Sequence, residues 1–351
     1  MSFLTRSATL AALVTLALQP AAWSQPKAAV TDAAQADADF ALQGEYRGWA
    51  QGTPIGLQVV AIGNGQFEAA GYRGGLPGEG WDRRGRNAYS GSIADGMLLL
   101  SGPAGRIAVV QGSATPMDDR GQSQGSLRKV ARYSATMGLQ PPANATVLFD
   151  GRSAEYLQGA KVTPEGLLQS GVLTKLPVDA FRLHLEFRTP SMPQAKGQAR
   201  GNSGVYIQQR YEVQILDSFG LEGIENECGG LYRQTRPDVN MCLPPLAWQT
   251  YDIWFTPPRF DDAATKTDNA RITVLHNGYL IHHHREITAK TGGGKQEGPE
   301  PFPINLQDHG NPVMFRNIWI VPREGDEEYS LEKHAVRYLS GWEQTGSDGC
   351  R

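Results

Sequence analysis

A short segment near residue 212 carries side chains whose types and spacing suit proton transfer. Tyr211 to Leu216 is rich in aromatic and β-branched residues, which predicts a strand with Glu212 and Gln214 on one face. A β-bulge near Leu216 would bring Asp217 onto that face, and bulges are common beside active sites. Two carboxylates and an amide could then act on a polar substrate as general acid and base. The alternative is the solvated outer face of a sheet.

A second polar cluster, Gln307-Asp308-His309, precedes a predicted strand late in the chain. An imidazole beside a carboxylate suits proton transfer, so His309 is a candidate catalytic residue, and Gln307 and Asp308 are candidate substrate ligands. Arg316, in the strand that follows, could bind a hydroxyl or carbonyl oxygen. The alternatives are that Asp308 and His309 only cap a turn and that Arg316 belongs to a buried structural pair.

Four further side chains are candidate substrate ligands. Asn202 and Tyr206 lie in a turn and strand that we expect to pair with the strand of Glu212. Tyr232 and Trp248 could stack on the rings of a ligand. Aromatic side chains also fill protein cores, which is the alternative for both.

The sequence permits a metal site without requiring one. A divalent cation could lie among Glu212, Asp217 and His309, although we assign no metal ligands and no certain cofactor. In the run of three histidines at 282–284, only His282 and His284 can share a face of a strand. No third ligand lies nearby in sequence, so a hydrophilic strand end is the preferred interpretation of that run.

The composition predicts many short strands in more than one domain. The 351 residues include 41 Gly and 22 Pro and only 20% charged residues, and the length favours two domains. The net charge of −3 gives no reason to expect nucleic acid or an anionic membrane as a partner. No stretch reaches membrane-spanning length.

The N-terminus has the features of an export signal, so we expect a periplasmic or secreted protein. A basic residue, Arg6, precedes the apolar run Ala8 to Leu18, and Ala22-Trp23-Ser24 offers small residues for cleavage. The predicted organisation is a signal peptide at 1–24, a disordered leader at 25–39, a small antiparallel β domain at 40–137, a linker at 138–146, a jelly-roll domain at 147–323 and an acidic tail with a short helix at 324–351.

Three cysteines are present, and export would permit a disulfide. Cys228 and Cys242 bracket a 13-residue loop close to the strand of Glu212, so they are either bridged to each other or free. Cys350 would remain unpaired. Their spacing gives no zinc-site signal.

The second domain reads as antiparallel strands. Phe181 to Arg188 alternates apolar and polar residues, as a strand with one buried face does, and Asn277-Gly278 is a tight hairpin turn. Many strands with almost no helical periodicity predict an all-β protein, a two-sheet jelly-roll sandwich preceded by the small antiparallel β domain.

Seven blocks of this second domain resemble the 3-keto-disaccharide hydrolase family. They are LFDG at 148–151, GNSGVY at 201–206, YEVQILDS at 211–218, GGLY at 229–232, LAWQTYDI at 246–253, HNG at 276–278 and LQDHGNPVMFRNIWI at 306–320. The resemblance covers Thr146 to Pro322. The loop from Glu225 to Pro245, which carries both internal cysteines, departs from the family's usual residues.

The resemblance implies a concanavalin-like jelly roll with a sugar cleft, and cleavage of glycosides already oxidised to a ketone at C3. For that chemistry our hypothesis makes Glu212 the base or a metal ligand, Asp217 its carboxylate partner, and Gln214 a ligand for a sugar hydroxyl. The reaction would be elimination followed by hydration, or direct hydrolysis. The alternatives are a non-catalytic carbohydrate-binding module and a structural domain of an exported assembly.

Overall fold

Eight short antiparallel strands, separated by glycine-containing turns, close into a barrel in the first part of the chain. The structure is a computed structural model and describes residues 29–323. The barrel strands are β1 (Gly44–Ala50), β2 (Thr53–Gly63), β3 (Gln66–Arg73), β4 (Asn87–Ala94), β5 (Met97–Gly102), β6 (Gly105–Val110), β7 (Ser113–Met117) and β8 (Gly125–Val130). Pairing of β1 with both β2 and β8 closes the barrel.

The barrel confirms the predicted small antiparallel β domain, and its last two strands have the weakest sequence pattern. Strand β7 contains Pro116, and β8 carries two basic residues, so neither has an apolar alternation that stands out. The barrel interior is filled by its own inward side chains, among them Tyr46, Val59 and Phe67.

The second part of the chain is a sandwich of two antiparallel sheets, which agrees with the predicted fold class. Its strands are β9 (Thr146–Phe149), β10 (Leu157–Gln158), β11 (Leu168–Gln169), β12 (Val172–Thr174), β13 (Phe181–Arg188), β14 (Ser203–Ile207), β15 (Tyr211–Ile215), β16 (Gln249–Thr256), β17 (Arg259–Phe260), β18 (Lys266–Asp268), β19 (Ala270–His276), β20 (Tyr279–Ile287), β21 (Asn305–Leu306) and β22 (Met314–Pro322). The five-stranded sheet has the order β10-β12-β21-β14-β15. The seven-stranded sheet runs β11-β22-β13-β16-β19-β20, with β9 also paired to β22, while β17 and β18 form a separate ribbon.

The core lies between the two sheets. Phe181, Leu183, Leu185 and Phe187 of β13 all point into it, which confirms the alternation predicted for that strand. The hairpin between β19 and β20 also forms as predicted. Its central residues, Asn277 and Gly278, have φ of 54° and 77°, the left-handed values that such a turn requires.

The outer face of the seven-stranded sheet is covered by the segment that leaves the barrel. The Gly138 N–H donates to Glu186 Oε1 at 2.7 Å, and the Leu139 carbonyl accepts from Asn317 and from the Trp319 indole. This docking buries Glu186, although its strand was expected to expose that face.

The barrel also packs directly against the sandwich. Val60 of β2 joins the sandwich core, and Arg86 Nη1 donates to the Gly220 carbonyl at 2.9 Å. Trp81, from the loop between β3 and β4, lies edge-on to Tyr72 and partly buried against the sandwich core. The arginine-rich loop at 74–86 therefore serves the contact between the two parts of the chain.

The expected disordered leader is wrong for residues 29–39. Val30 and Ser191 exchange backbone hydrogen bonds of 3.0 and 2.8 Å, and Asp39 Oδ2 accepts from the Gly65 N–H. These contacts tie the leader to both parts of the chain. The predicted signal peptide and the acidic tail lie outside the described residues.

Candidate functional site

Strand β15 presents its polar residues on the outer face of the five-stranded sheet, as the sequence predicts. Tyr211, Val213 and Ile215 point into the sandwich core. Glu212 and Gln214 therefore point the other way, and both are almost completely buried. A polar face that is buried needs partners, and neighbouring segments supply them.

The strand paired with β15 leaves room for the Glu212 carboxylate. Tyr206 lies opposite Glu212 in the pairing, and Gly204 lies opposite Gln214. A Cβ on Gly204 would be only 2.3 Å from Glu212 Oε1, closer than non-bonded atoms approach. The carboxylate thus occupies the space over β14 that any side chain at position 204 would fill.

Burial changes the acidity of Glu212. Removal of the carboxylate from water raises the pKa of Glu212 from 4.5 to about 7, and a hydrogen bond from Tyr206 acts in the opposite direction. A carboxyl group with a pKa near neutral can accept or release a proton at physiological pH.

Tyr206 and Tyr232, two of the candidate substrate ligands, lie together beside Glu212. The Tyr206 hydroxyl bonds to the Glu212 carboxylate and accepts from the Gly293 N–H. Burial and the Glu212 charge raise the Tyr206 pKa, so its hydroxyl stays protonated. A Cβ on Gly292 would be 2.8 Å from the Tyr232 ring.

The loop that provides these glycines also fixes the backbone of Glu212. Thr291 Oγ1 accepts from the Glu212 N–H at 2.7 Å, and the Thr291 N–H donates to the Arg210 carbonyl at 2.9 Å. The run of three glycines at 292–294 is the sequence feature that marks this loop.

Gln214 is held by a chain of amides. Its Nε2 donates to Asn202 Oδ1 at 2.8 Å, and Asn202 Nδ2 donates to the Gln198 carbonyl at 2.7 Å. The Asn202 N–H donates to Asn311 Oδ1. The structure thus joins Gln214 and Asn202, and it adds Gln198, from the one-turn 3-10 helix Gly197–Ala199, and Asn311, from the bend before β22. Neither segment has a sequence pattern that points to this role.

Gln307 lies on the same outer face, next to Gly204. Its N–H donates to the Gly204 carbonyl at 2.9 Å, directly after β21. Gln307 Oε1 is buried and has no hydrogen-bond partner among residues 29–323. An unpartnered buried acceptor is costly, so it marks a position where a ligand hydroxyl would be stabilised.

Asp308 and His309 are exposed at the end of this strand. Asp308 Oδ1 accepts from the Gly310 N–H at 2.8 Å, which is the turn-capping arrangement weighed as the alternative. His309 follows Gln307 by two residues and is exposed, and its catalytic role stays a prediction.

Asp217 has a different partner from the one expected. Arg200 Nε donates to Asp217 Oδ2 at 2.7 Å, and Arg200 Nη2 also reaches the Ala61 carbonyl of the barrel. No hydrogen bond joins Asp217 to Glu212 within residues 29–323. The ion pair links the end of the β15 segment to the barrel, so the proposed carboxylate pairing is not formed.

The expected grouping of Arg316 and Trp248 with Glu212 is wrong, because β22 belongs to the other sheet. The Arg316 guanidinium lies 4.0 Å from the Trp248 ring centroid, and its Nε donates to Glu186 Oε2 at 2.6 Å. Both residues therefore lie on the outer face of the seven-stranded sheet, where Arg316 pairs with the buried Glu186 although its own side chain is 38% exposed.

Within residues 29–323, no three His, Cys, Asp or Glu side chains are arranged to hold a metal ion. The cation suggested among Glu212, Asp217 and His309 has no such cluster. His282, expected at a hydrophilic strand end, is instead buried and bonds to the Gly229 carbonyl at 2.7 Å, and burial lowers its pKa to about 4. No helix in this range is long and apolar enough to span a membrane.

The two internal cysteines are buried free thiols in contact with each other. The Cys228 thiol also bonds to the Tyr251 hydroxyl, which donates to the Gln214 carbonyl at 2.6 Å. The loop that carries them pairs alongside β15, since the Tyr232 N–H donates to the Glu212 carbonyl.

The class of this domain is an all-β sandwich of two sheets, with a buried carboxyl group of raised pKa on one outer face. The chain belongs to the family described as the 3-keto-alpha-glucoside-1,2-lyase-like domain, whose model matches residues 144–321. The matched range covers the sandwich, including every strand around Glu212. No curated protein matches this chain.

Solved structures from Parabacteroides distasonis, provisionally named glycosyl hydrolases, are similar to this chain. One is 31% identical, with coverage of 52% of this chain and 85% of that chain and a TM-score of 0.49. A second is 17% identical, with coverage of 52% and 94% and a TM-score of 0.37.

Proposed function

We propose that this protein cleaves glycosides whose sugar carries a ketone at C3, by elimination of the group at C1 followed by addition of water. The family description names a lyase of 3-keto-α-glucosides, and the P. distasonis structures are named for glycoside cleavage. The chemistry follows from the base that the fold supplies.

Glu212 is the proposed base. A ketone at C3 acidifies the proton on C2, and the ionised carboxylate takes that proton while the C2–H electron pair forms the enolate. The enolate then expels the C1 oxygen, which leaves with a proton as the free alcohol, and a C1–C2 double bond conjugated to the ketone remains. Water adds at C1 and the proton returns to C2, so the net reaction is hydrolysis.

The other polar groups of the outer face would bind and orient the sugar. Gln307 Oε1, buried without a partner, would accept from a sugar hydroxyl. The Tyr206 hydroxyl has a single proton, which it donates to the ionised Glu212 carboxylate; once Glu212 has taken the C2 proton, that hydroxyl would be free to donate toward the negative oxygen at C3. His309, which is exposed two residues after Gln307, is the candidate donor of the proton to the leaving group.

One observation carries the proposal: Glu212 is buried among hydrogen-bonding neighbours and its pKa is about 7. An ordinary retaining glycosidase needs two carboxyl groups about 5–5.5 Å apart. The second candidate here, Asp217, is bound by Arg200. Elimination needs a single base, and this arrangement favours it.

The test compares two substrates that differ only at C3. The protein would be incubated with a disaccharide and with the same disaccharide oxidised at C3, and released monosaccharide would be measured by mass spectrometry. We expect release from the ketone alone, with loss in Glu212→Gln of roughly 10²–10⁴-fold. Equal release from both substrates would point to ordinary hydrolysis. Binding without cleavage would indicate a lectin.

We also propose that the reaction takes place outside the cytoplasm. The support is the sequence of residues 1–24, a basic residue followed by a short apolar run and small residues. Fractionation of cells that express the full chain, with N-terminal sequencing of the product, tests this. Cytoplasmic, uncleaved protein would contradict it.

A further inference from the structure

One open end of the barrel contains a cavity that is separate from the site around Glu212. Its volume is about 710 Å³, and its walls include the turn at Gln51, the turn at Ala104 and the connection at Asp118. Small-molecule sites typically measure about 300–1,000 Å³, and the mouths of barrels are among their usual places. The cavity could therefore contain one or two sugar rings.

The floor of this cavity is apolar and buried. Leu57, Ile107 and Leu127 line it, and all three are buried in the barrel core. The Tyr89 ring lies between two glycines, since a Cβ on Gly102 would be 2.6 Å from the ring and a Cβ on Gly71 would be 3.0 Å from it. These glycines leave the space that the ring fills.

Tyr89 offers a polar group to this cavity. The residue lines the cavity with only 9% of its surface exposed, and its hydroxyl forms no hydrogen bond with any residue in 29–323. The hydroxyl is not among the buried atoms of this range, so it is accessible from the cavity and is available to a ligand. A ligand with a hydroxyl group would supply that bond.

The rim of the cavity is polar and balanced in charge. Two arginines, Arg73 and Arg106, are matched by Asp118 and Asp119. Arg106 Nη2 donates to the Asp119 carbonyl at 3.2 Å, and Gln124 Nε2 donates to Asp118 Oδ2 at 3.1 Å. Such a rim offers many donors and acceptors without a net charge to attract an ion.

We propose that the barrel mouth is a second binding site, for a neutral sugar. The ring of the sugar would rest on the apolar floor, one hydroxyl would bond to Tyr89, and the others would bond to the rim. A charged ligand would gain nothing from a balanced rim, and a purely apolar one would leave Tyr89 and the rim amides unbonded. The proposal does not depend on the reaction at Glu212.

The test is a titration of the full chain with maltose, cellobiose, sucrose and trehalose, none of which carries the C3 ketone. Binding would be followed by saturation-transfer NMR up to about 50 mM, because single-ring contacts usually give millimolar Kd values. Tyr89→Phe removes only the hydroxyl, and Arg73→Ala alters only the exposed rim. The matched control is Tyr133→Phe, a tyrosine that is 71% exposed and does not line the cavity.

We expect at least one sugar to bind, with its Kd raised about 5-fold or more in Tyr89→Phe and in Arg73→Ala. Tyr133→Phe and Glu212→Gln should bind like the parent protein. Absence of binding by all four sugars would overturn the proposal, and so would binding that Glu212→Gln abolishes and Tyr89→Phe leaves unchanged. Cleavage of a 3-keto-disaccharide should be unaffected by Tyr89→Phe, so the two proposals can fail separately.

Discussion

Glu212 Oε1 lies 2.3 Å from the point where a Cβ on Gly204 would stand. The carboxylate of one strand thus occupies the empty side-chain position of its neighbour. Gly204 has ordinary extended backbone, so its role is space and not conformation. Tyr206, two residues after Gly204 in β14, lies beside the same carboxylate.

Replacement of Gly204 by Ala should displace the Glu212 carboxylate. We expect kcat/KM on a 3-keto-disaccharide to fall about 10–100-fold, because a misplacement of about 1 Å is enough for such a loss. The control is Ile207→Val, which alters the core face of the same strand. Parental kinetics in Gly204→Ala would contradict the placement of Glu212.

The activity should depend on pH through Glu212. The base must be ionised, so kcat/KM should rise with pH and level off above about 7, the pKa of the buried carboxyl group. The Tyr206 hydrogen bond lowers that pKa, and Tyr206→Phe should therefore move the inflection to higher pH. An inflection near the ordinary glutamate value of about 4.3 would contradict this account.

Stability should show the cost of ionising the same group. The folded-state pKa of Glu212 is raised above its unfolded value. The stability that the protonated carboxyl group provides is therefore fully present below about pH 4.5 and is lost as pH rises through about 7. Glu212→Gln removes the charge and keeps the shape. Its free energy of unfolding should exceed that of the parent at pH 8, by up to about 3 kcal/mol, and match it near pH 4.

Chemical denaturation at the two pH values would measure this difference. Equal stabilities at both pH values would mean that the Glu212 carboxylate is hydrated in the folded protein. Lower stability of Glu212→Gln at pH 8 would mean that the carboxylate has a cationic partner.

The Arg200–Asp217 pair should act on stability. Both side chains are buried, so Arg200→Ala would leave an unpaired carboxylate and cost about 3–5 kcal/mol. The double variant Arg200→Met with Asp217→Leu should recover much of that loss. In Asp217→Asn we expect kcat of the folded protein to stay within about 10-fold of the parent; a loss as large as that of Glu212→Gln would restore Asp217 to the catalytic machinery.

The two internal cysteines should behave as protected thiols. In a Cys350→Ser variant, a thiol reagent should find no reactive group in the folded protein and two after unfolding, since Cys228 and Cys242 are both free and buried. Two buried groups that stay silent after unfolding would show that they form a disulfide in the isolated protein.

Local patterns were sufficient to predict the individual strands around the site. The alternation in β15 placed Glu212 and Gln214 on one face, and the Asn277-Gly278 turn defined its hairpin. Both features depend on residues next to each other in sequence, where periodicity and turn chemistry act directly.

Relationships between distant segments were not predictable in this way. Arg316 and Glu212 lie on different sheets because β22 pairs with β13, a choice made by long-range pairing. The partner of Asp217 depends on Arg200 and on the barrel, and Glu186 is buried by the segment at 138–139. A single sequence contains no local signal for such contacts.

The most direct test of the central claim follows the proton on C2. A 3-keto-disaccharide with deuterium at C2 would be compared with the unlabelled substrate, and the product would be analysed for the label. We expect slower turnover of the deuterated substrate and replacement of the C2 deuterium by solvent hydrogen, both absent in Glu212→Gln. Retention of all the deuterium, with equal rates for the two substrates, would show that the C2–H bond is never broken and that Glu212 is not the base of an elimination.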